Sequence, residues 1–135
     1  MNERIKSDDL QKTIINMLDK FGDSATVLLR DTCLEVGNET ANVVQNHIDF
    51  GTGSYKENIK CEELSTGYKK RKKVVAVHAD NGYYRIAHLL ENGHQVISHG
   101  KPAGRAEGHP HFAYGEEYAD KTLEKRYIEK VNALL

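Results

Sequence analysis

The stretch VVAVHADNGYYRIAHLLENG, residues 74–93, changes its apolar pattern from that of a strand to that of a helix. Its first six residues are rich in β-branched valine, which is typical of a strand. An Asp-Asn-Gly turn signal follows at 80–82. From Tyr83 the apolar residues recur at helical spacing, and Gly93 stands where a helix C-cap favours glycine. A strand that leads directly into a helix indicates a fold with both element types.

A second strand is predicted upstream of this stretch. Residues 55–64 alternate imperfectly, and the residues on one side are Tyr55, Glu57, Ile59, Cys61 and Glu63. Between this run and the valine-rich strand, which we place at 73–79, lies a charged tip that contains a glycine. Two strand-like runs joined in this way predict a β-hairpin.

Helices are predicted on both sides of the hairpin. A first helix is expected to end at Gly22, and Asp23 or Ser24 can cap a second one. The apolar residues of the first are Leu10, Ile14, Leu18 and Phe21; the seam of the second is Leu29, Cys33, Val36, Thr40, Val43 and His47. Gly37 allows a bend within that second helix.

The remaining residues complete the predicted architecture. The helix over 83–92 is expected to pack Ile86 and Leu90 on the sheet, and residues 94–111 are expected to be irregular, apart from a short strand that Val96 and Ile97 can form. A last helix is expected from Phe112, with one stripe formed by Ala119, Leu123, Tyr127, Val131 and Leu134. The predicted fold is one α+β domain over residues 1–135, with N-terminal helices, a small antiparallel sheet, an internal helix and a C-terminal helix.

Composition restricts the function. The chain has 135 residues and a formal net charge of −1, whereas a dedicated nucleic-acid binder usually has a basic excess. No stretch approaches the roughly 20 apolar residues that span a bilayer, and the N-terminus lacks the apolar core of a signal peptide. Because only two cysteines are present, Cys33 and Cys61, we expect a reducing, cytoplasmic setting.

The charges are unevenly distributed along the chain. Residues 1–50 carry five basic and nine acidic side chains, net −4, while residues 51–113 carry ten and six, net +4. Residues 114–135 carry four and five, net −1. Acidic and basic surfaces on one small body favour docking against copies of itself or a complementary partner. Ordinary solvated surfaces are the alternative interpretation.

Catalytic and metal-binding patterns are weak. No i, i+4 histidine pair or Cys-x-x-Cys pair is present to bind zinc. A metal-binding module or metal-dependent enzyme stays an alternative hypothesis, and it would use His94, His99, His109 and His111. Cys33 is expected to pack as a small hydrophobic residue, and the acidic neighbours of Cys61 should raise its pKa. We therefore expect no catalytic residue, no cofactor, no metal and no enzymatic activity.

The sharpest electrostatic feature is the basic run Lys69, Lys70, Arg71, Lys72 and Lys73 at the predicted hairpin tip. Such a tip can improve solubility and protect strand edges from aggregation. It can also contact phosphate groups of DNA in a salt-dependent way. A small DNA-binding regulator that uses this run is a further alternative hypothesis.

Several motifs together resemble a known family. Tyr83 to His94 reads YYRIAHLLENGH, and it is followed by Gly-Arg-Ala at 104–106, Pro-His-Phe at 110–112 and Glu-Glu at 116–117. Upstream, residues 53–59 read GSYKENI. In this order the motifs resemble the small tail-component, tail-completion and head–tail joining (neck) proteins of lambda-like long-tailed bacteriophages. The resemblance covers nearly the whole chain.

The resemblance implies a non-enzymatic α+β subunit of a ring, commonly a hexamer, where the tail tube meets the head connector. Its partners would be other copies of itself, the connector, and the tail tube or tail terminator. The basic tip could then contact DNA in the channel. The chain would be found in the host cytoplasm during assembly and afterwards in the virion. The motif residues that would form the interface are Tyr84, Arg85, Leu89, Glu91, Gly93, His94, Arg105, Pro110 and His111.

Overall fold

A computed structural model of the chain describes residues 7–66 and 72–135. The α+β prediction is confirmed: within these two ranges, four helices combine with two antiparallel sheets of two strands each. The elements in chain order are α1 Ser7–Asn46, α2 Ser54–Glu57, β1 Ile59–Thr66, β2 Lys72–Ala79, α3 Tyr84–Asn92, β3 His94–Ser98, β4 Lys101–Ala106 and α4 Phe112–Leu134.

The N-terminal region forms one helix rather than the two predicted. Helix α1 continues from Ser7 to Asn46, so the predicted end at Gly22 is wrong. Glycine in a helix interior costs only about 1 kcal/mol relative to alanine. That cost weakens a helix but does not by itself end one. The regular helix also continues through Gly37, where a bend was considered.

The buried face of α1 lies in its C-terminal half. Its most buried residues repeat every four positions and are Thr32, Val36, Thr40, Val44 and Ile48, the last just beyond the helix. Val36 and Thr40 of the predicted seam are therefore in the core, whereas Leu29 and His47 are exposed. The buried face of α1 differs from the predicted seam because it includes Gly37 and Ala41, two small residues that the seam left out.

The predicted hairpin is confirmed over β1 and β2, which pair from Ile59 opposite Ala79 to Thr66 opposite Lys72. Tyr55 and Glu57, predicted in the first strand, lie instead in the short helix α2. The hairpin packs closely on α1 at Gly37. A Cβ atom there would lie 2.6 Å from Cys61 Sγ and 2.7 Å from a methyl carbon of Val75. Glycine at this position allows the close approach.

Helix α4 begins at Phe112 as predicted and packs against α1. Polar contacts join the two helices along their length: Arg126 pairs with Glu39, Lys130 pairs with Glu35, and the Tyr127 hydroxyl donates to the Ala25 carbonyl. Four residues of the predicted stripe, from Ala119 to Val131, are half-buried, whereas Leu134 is exposed.

Two further predictions are corrected around α3. Leu90 packs against the core as expected, but Ile86 is 41% exposed, and Ala87 packs inward in its place. Residues 94–106, expected to be irregular, form the second hairpin, in which His94 pairs with Ala106 and Ser98 with Lys101. Its glycines lie in the turn and in β4, where they permit positive φ values without ending the pairing.

Gly22→Ala is expected to stabilise the chain. Gly22 lies on an exposed part of α1, and a Cβ atom there would have no heavy atom within 4 Å. Alanine should therefore raise the free energy of unfolding of the helix by roughly 0.5–1 kcal/mol. Urea unfolding followed by circular dichroism measures this change. A loss of stability would contradict the continuous helix described here.

Candidate functional site

The carboxylate of Glu91, near the end of α3, caps the N-terminus of α4. Its Oε2 accepts from the backbone N–H of His111 at 2.6 Å and of Phe112 at 3.2 Å. Its Oε1 accepts from the Ala113 N–H at 2.9 Å. First-turn amides have no partner within their own helix, and the positive end of the helix dipole favours an anion. One side chain thus connects the two helices.

His111 lies beside this carboxylate and is completely buried. Its Nδ1 is 2.6 Å from the His109 carbonyl oxygen and 3.3 Å from Glu91 Oε2. Because both neighbours accept hydrogen bonds, Nδ1 carries the proton. Nε2 then accepts from the hydroxyl of Tyr55, 2.6 Å away. Both ring nitrogens of this buried imidazole therefore have hydrogen-bond partners.

Tyr55 completes this Glu91–His111–Tyr55 network from the side of the short helix α2. Its ring is 7% exposed and packs edge-on against Tyr83 and His111. Burial, and then the negative charge of Glu91, raises the pKa of Tyr55 from 10.0 to about 12. The phenol therefore stays protonated and donates throughout the physiological range.

The network has the residue types of a proton relay, but its position favours a structural role. A general acid or base must come within hydrogen-bond distance of a substrate. His111 has no exposed surface, and both of its ring nitrogens already have partners. The three side chains join α2, α3 and the start of α4, so the arrangement fixes the relative positions of these elements.

Two glycines allow the backbone to cross beside the network. A Cβ atom on Gly108 would lie 2.6 Å from both the Glu91 carbonyl oxygen and the Asn92 carbonyl carbon. A Cβ atom on Gly93, whose φ is +79°, would lie 2.6 Å from the Ala106 carbonyl oxygen. The His109 N–H donates to the Leu90 carbonyl at 2.7 Å across the same crossing. The predicted C-cap at Gly93 is thus also a point of close backbone contact.

The other motif residues lie partly at this crossing and partly at the start of α3. The Arg105 guanidinium donates to the Asn92 carbonyl at 3.0 Å, and Pro110 is exposed two residues before α4. His94 begins β3, and its Nδ1 is buried without a hydrogen-bond partner among the described residues. The Arg85 guanidinium lies 5.8 Å from the ring centre of the exposed Tyr84. Leu89 is half-buried.

Sequence analysis did not predict the contacts within this network. Tyr55 and His111 are 56 positions apart, and Glu91 is 20 positions from the first amide that it caps. One local signal was available: α4 begins after His111, which makes no side-chain cap hydrogen bond. A helix start without Ser, Thr, Asp or Asn at its N-cap leaves its first amides to water or to an acceptor from elsewhere in the chain.

The structure does not bring the candidate metal ligands together. His99 lies exposed in the turn of the second hairpin, and the exposed His109 stacks on Phe50 at 4.8 Å. Over residues 7–66 and 72–135, no three His, Cys, Asp or Glu side chains converge as metal ligands would.

The two cysteines are free and half-buried. Burial raises the pKa of Cys33 and also that of Cys61. The upward direction predicted for Cys61 is therefore confirmed, but its cause is burial rather than the neighbouring carboxylates. A raised pKa reduces the thiolate fraction, and with it the reactivity of both thiols.

The basic run lies largely beyond what the structure describes. Lys69, Lys70 and Arg71 fall outside the described residues, and for Lys72 and Lys73 only the backbone positions at the start of β2 are given.

Tyr55→Phe is expected to change both stability and its pH dependence. Removing the hydroxyl leaves His111 Nε2 buried without a donor, which should cost about 1–3 kcal/mol at neutral pH. In the parent chain, the unfolded state releases the Tyr55 proton near pH 10.0, and the folded state holds it until about pH 12. The stability from this difference is complete below pH 10 and is lost as pH rises towards 12.

Urea unfolding between pH 7 and 12 measures both effects. As the pH rises towards 12, Tyr55→Phe should lose less stability than the parent chain. Tyr114→Phe is the matched control, because Tyr114 is 46% exposed on the first turn of α4. Equal behaviour of the two variants would contradict the role assigned to the Tyr55 hydroxyl.

Among the described residues, no helix is long and apolar enough to cross a membrane. Compared with known proteins, the chain matches no family model, no curated protein and no solved structure. What the protein does must therefore be inferred from its own residues and their geometry.

Proposed function

We propose that the chain is a structural, non-enzymatic virion protein of a long-tailed bacteriophage or prophage. In this proposal it forms a ring, with a hexamer as the expected size, and joins the tail tube to the head connector. It would act first in the host cytoplasm and then in the virion neck. The motifs at 83–94, 104–106 and 110–112 support the family, and the exposed apolar surfaces described next support assembly.

The observation that carries the proposal is the uncovered N-terminal half of α1. From residue 9 to residue 24 every side chain of this helix is exposed. Large apolar side chains are among them: Leu10, Ile14, Ile15, Met17, Leu18 and Phe21, each 44–65% exposed. Large contiguous apolar patches are uncommon on monomers and typically mark interaction sites. A ring subunit would cover such a stripe with its neighbour.

The second hairpin offers another uncovered surface. Nine of its eleven strand residues are exposed, and Val96 and Ile97 are 37% and 59% exposed. A two-stranded ribbon is only marginally stable by itself in water. Contact with another subunit would supply the missing burial. The Glu91–His111–Tyr55 network, by contrast, supports a rigid body that presents these surfaces at fixed positions.

Disrupting the gene in the phage that encodes the chain tests the proposed function. We expect DNA-filled heads and complete tails to accumulate as separate particles under the electron microscope. Supplying the intact chain from a plasmid should restore joined, infectious particles. Normal joined particles in the absence of the chain would contradict the proposal. The same assay, repeated with the 69–73 run changed to glutamine, tests whether the basic tip contributes contact with DNA.

A further inference from the structure

An open notch lies between α1 and the last residue of α4. It has a volume of about 340 Å³ and is lined by Asp23, Ser24, Val27, Leu28, Asp31 and Leu134. Three of these side chains are apolar, and Val27 and Leu134 are more than half exposed. Two aspartates flank this apolar surface. A notch of this composition fits an apolar side chain that has a basic residue next to it.

The notch continues into the uncovered stripe of α1. Met17, Phe21, Ser24 and Leu28 follow one another at spacings of four, three and four residues, which places them on one face of the helix. Residues 7–24 contain four aspartates and two lysines, so this segment has a net charge of −2. Arg30 lies 4.0 Å from Asp31, but its guanidinium donates to both Glu63 oxygens at 2.8 and 3.0 Å, so it does not fully neutralise the aspartates.

The second hairpin has complementary properties. Residues 94–106 contain Lys101 and Arg105 and no acidic residue, so their net charge is +2 with histidine neutral. Ile97 stands opposite Pro102, next to the turn, and both are exposed. The tip therefore combines an exposed apolar pair with a lysine one residue away. Its composition matches what the notch would accept.

The notch and the hairpin lie near opposite ends of α4. The hairpin leads into the start of α4, where Gly115 contacts Val44 of α1. The notch is at the other end of α4, beside Leu134. At 1.5 Å per residue the helix separates them by about 34 Å. Two different complementary surfaces at opposite ends produce head-to-tail contacts, which generate closed rings or open filaments.

We propose that the β3–β4 hairpin of one copy docks into the notch between α1 and α4 of the next copy. Ile97 and Pro102 would cover the apolar surface around Val27, and Lys101 would approach Asp23. This inference rests on the proposed ring and identifies its subunit contact. The apolar surface of the notch and the second hairpin would each gain the burial that they lack in the single chain.

A charge exchange tests the contact. Lys101→Glu and Asp23→Lys place like charges across it, and each should weaken self-association roughly tenfold. The double variant recreates an opposite pair and should recover most of the loss. Sedimentation velocity over a concentration series measures association, and circular dichroism checks that folding is unchanged. Lys125→Glu, the same charge change at an exposed position of α4, is the control and should have no effect.

Cross-linking tests the direction of the contact. Ser24→Cys labels the notch and Ser98→Cys labels the hairpin tip, and both serines are exposed. With a flexible bis-maleimide, the double variant should give a ladder of species larger than dimers, because each copy has both surfaces. Each single variant should resemble the parent, whose cysteines are half-buried.

Three outcomes would overturn the inference. The parent chain could stay monomeric, the charge changes could leave its self-association unaltered, or Ser24→Cys alone could give cross-linked dimers. The last would show two notches facing each other. None of these contradicts a role in the neck, which head–tail joining in the phage decides separately.

Discussion

Glu91→Ala should lower the free energy of unfolding by roughly 2–4 kcal/mol. The carboxylate accepts from the backbone amides of His111, Phe112 and Ala113 and lies beside the His111 ring. Alanine would leave these donors without their acceptor in a site where the Glu91 side chain is only 14% exposed. The α4 N-terminus would lose its cap and its connection to α3 together.

Urea unfolding at pH 7 measures this loss, and two variants define its origin. Glu117→Ala removes a glutamate in the body of α4, and because its pair with Lys121 is exposed, the change should leave stability nearly unaltered. Glu91→Gln keeps one acceptor oxygen and should fall between the two. If Glu91→Ala and Glu117→Ala were equally mild, the capping role of Glu91 would be wrong.

Gly108→Ala should destabilise the chain by roughly 3 kcal/mol, at the upper end of overpacking effects. The added methyl carbon would lie 2.6 Å from two backbone atoms, the Glu91 carbonyl oxygen and the Asn92 carbonyl carbon. A backbone cannot rotate away as a flexible side chain can. The end of α3 would have to separate from residues 107–109, which breaks the hydrogen bond from the His109 N–H to Leu90.

Thermal unfolding by calorimetry, supported by amide exchange at His109, measures this separation. Gly22→Ala is the matched control, because it adds the same methyl group where nothing lies within 4 Å and should change stability in the opposite direction. A Gly108→Ala variant as stable as the parent chain would show that the two backbone segments are less closely apposed than described.

Elements with strong local signals were predicted correctly from the sequence. The valine-rich strand, the helix that ends before Gly93 and the helix that begins at Phe112 are all present. In each case the apolar period and a neighbouring turn or cap residue indicate the same boundary. Local consistency of this kind is what makes an element readable from sequence.

Elements decided by tertiary contacts were not predicted. Glycine is common at helix ends, but no turn forms at Gly22 and α1 continues through it. The second hairpin has no alternating apolar pattern because most of both its faces are exposed. The Glu91–His111–Tyr55 network depends on residues far apart in the chain, so their separate roles could not be combined before the fold was known.

The pairing of α1 with α4 has a consequence for how the protein comes to be folded. Tyr127 contacts Ala25 across 102 positions, and Lys130 contacts Glu35 across 95. Closing such long loops is entropically costly, and non-local topologies fold slowly. During synthesis, α1 leaves the ribosome well before its partner helix exists. In the nascent chain the face of α1 that later packs on α4 must therefore stay uncovered until the last turns of α4 have been synthesised.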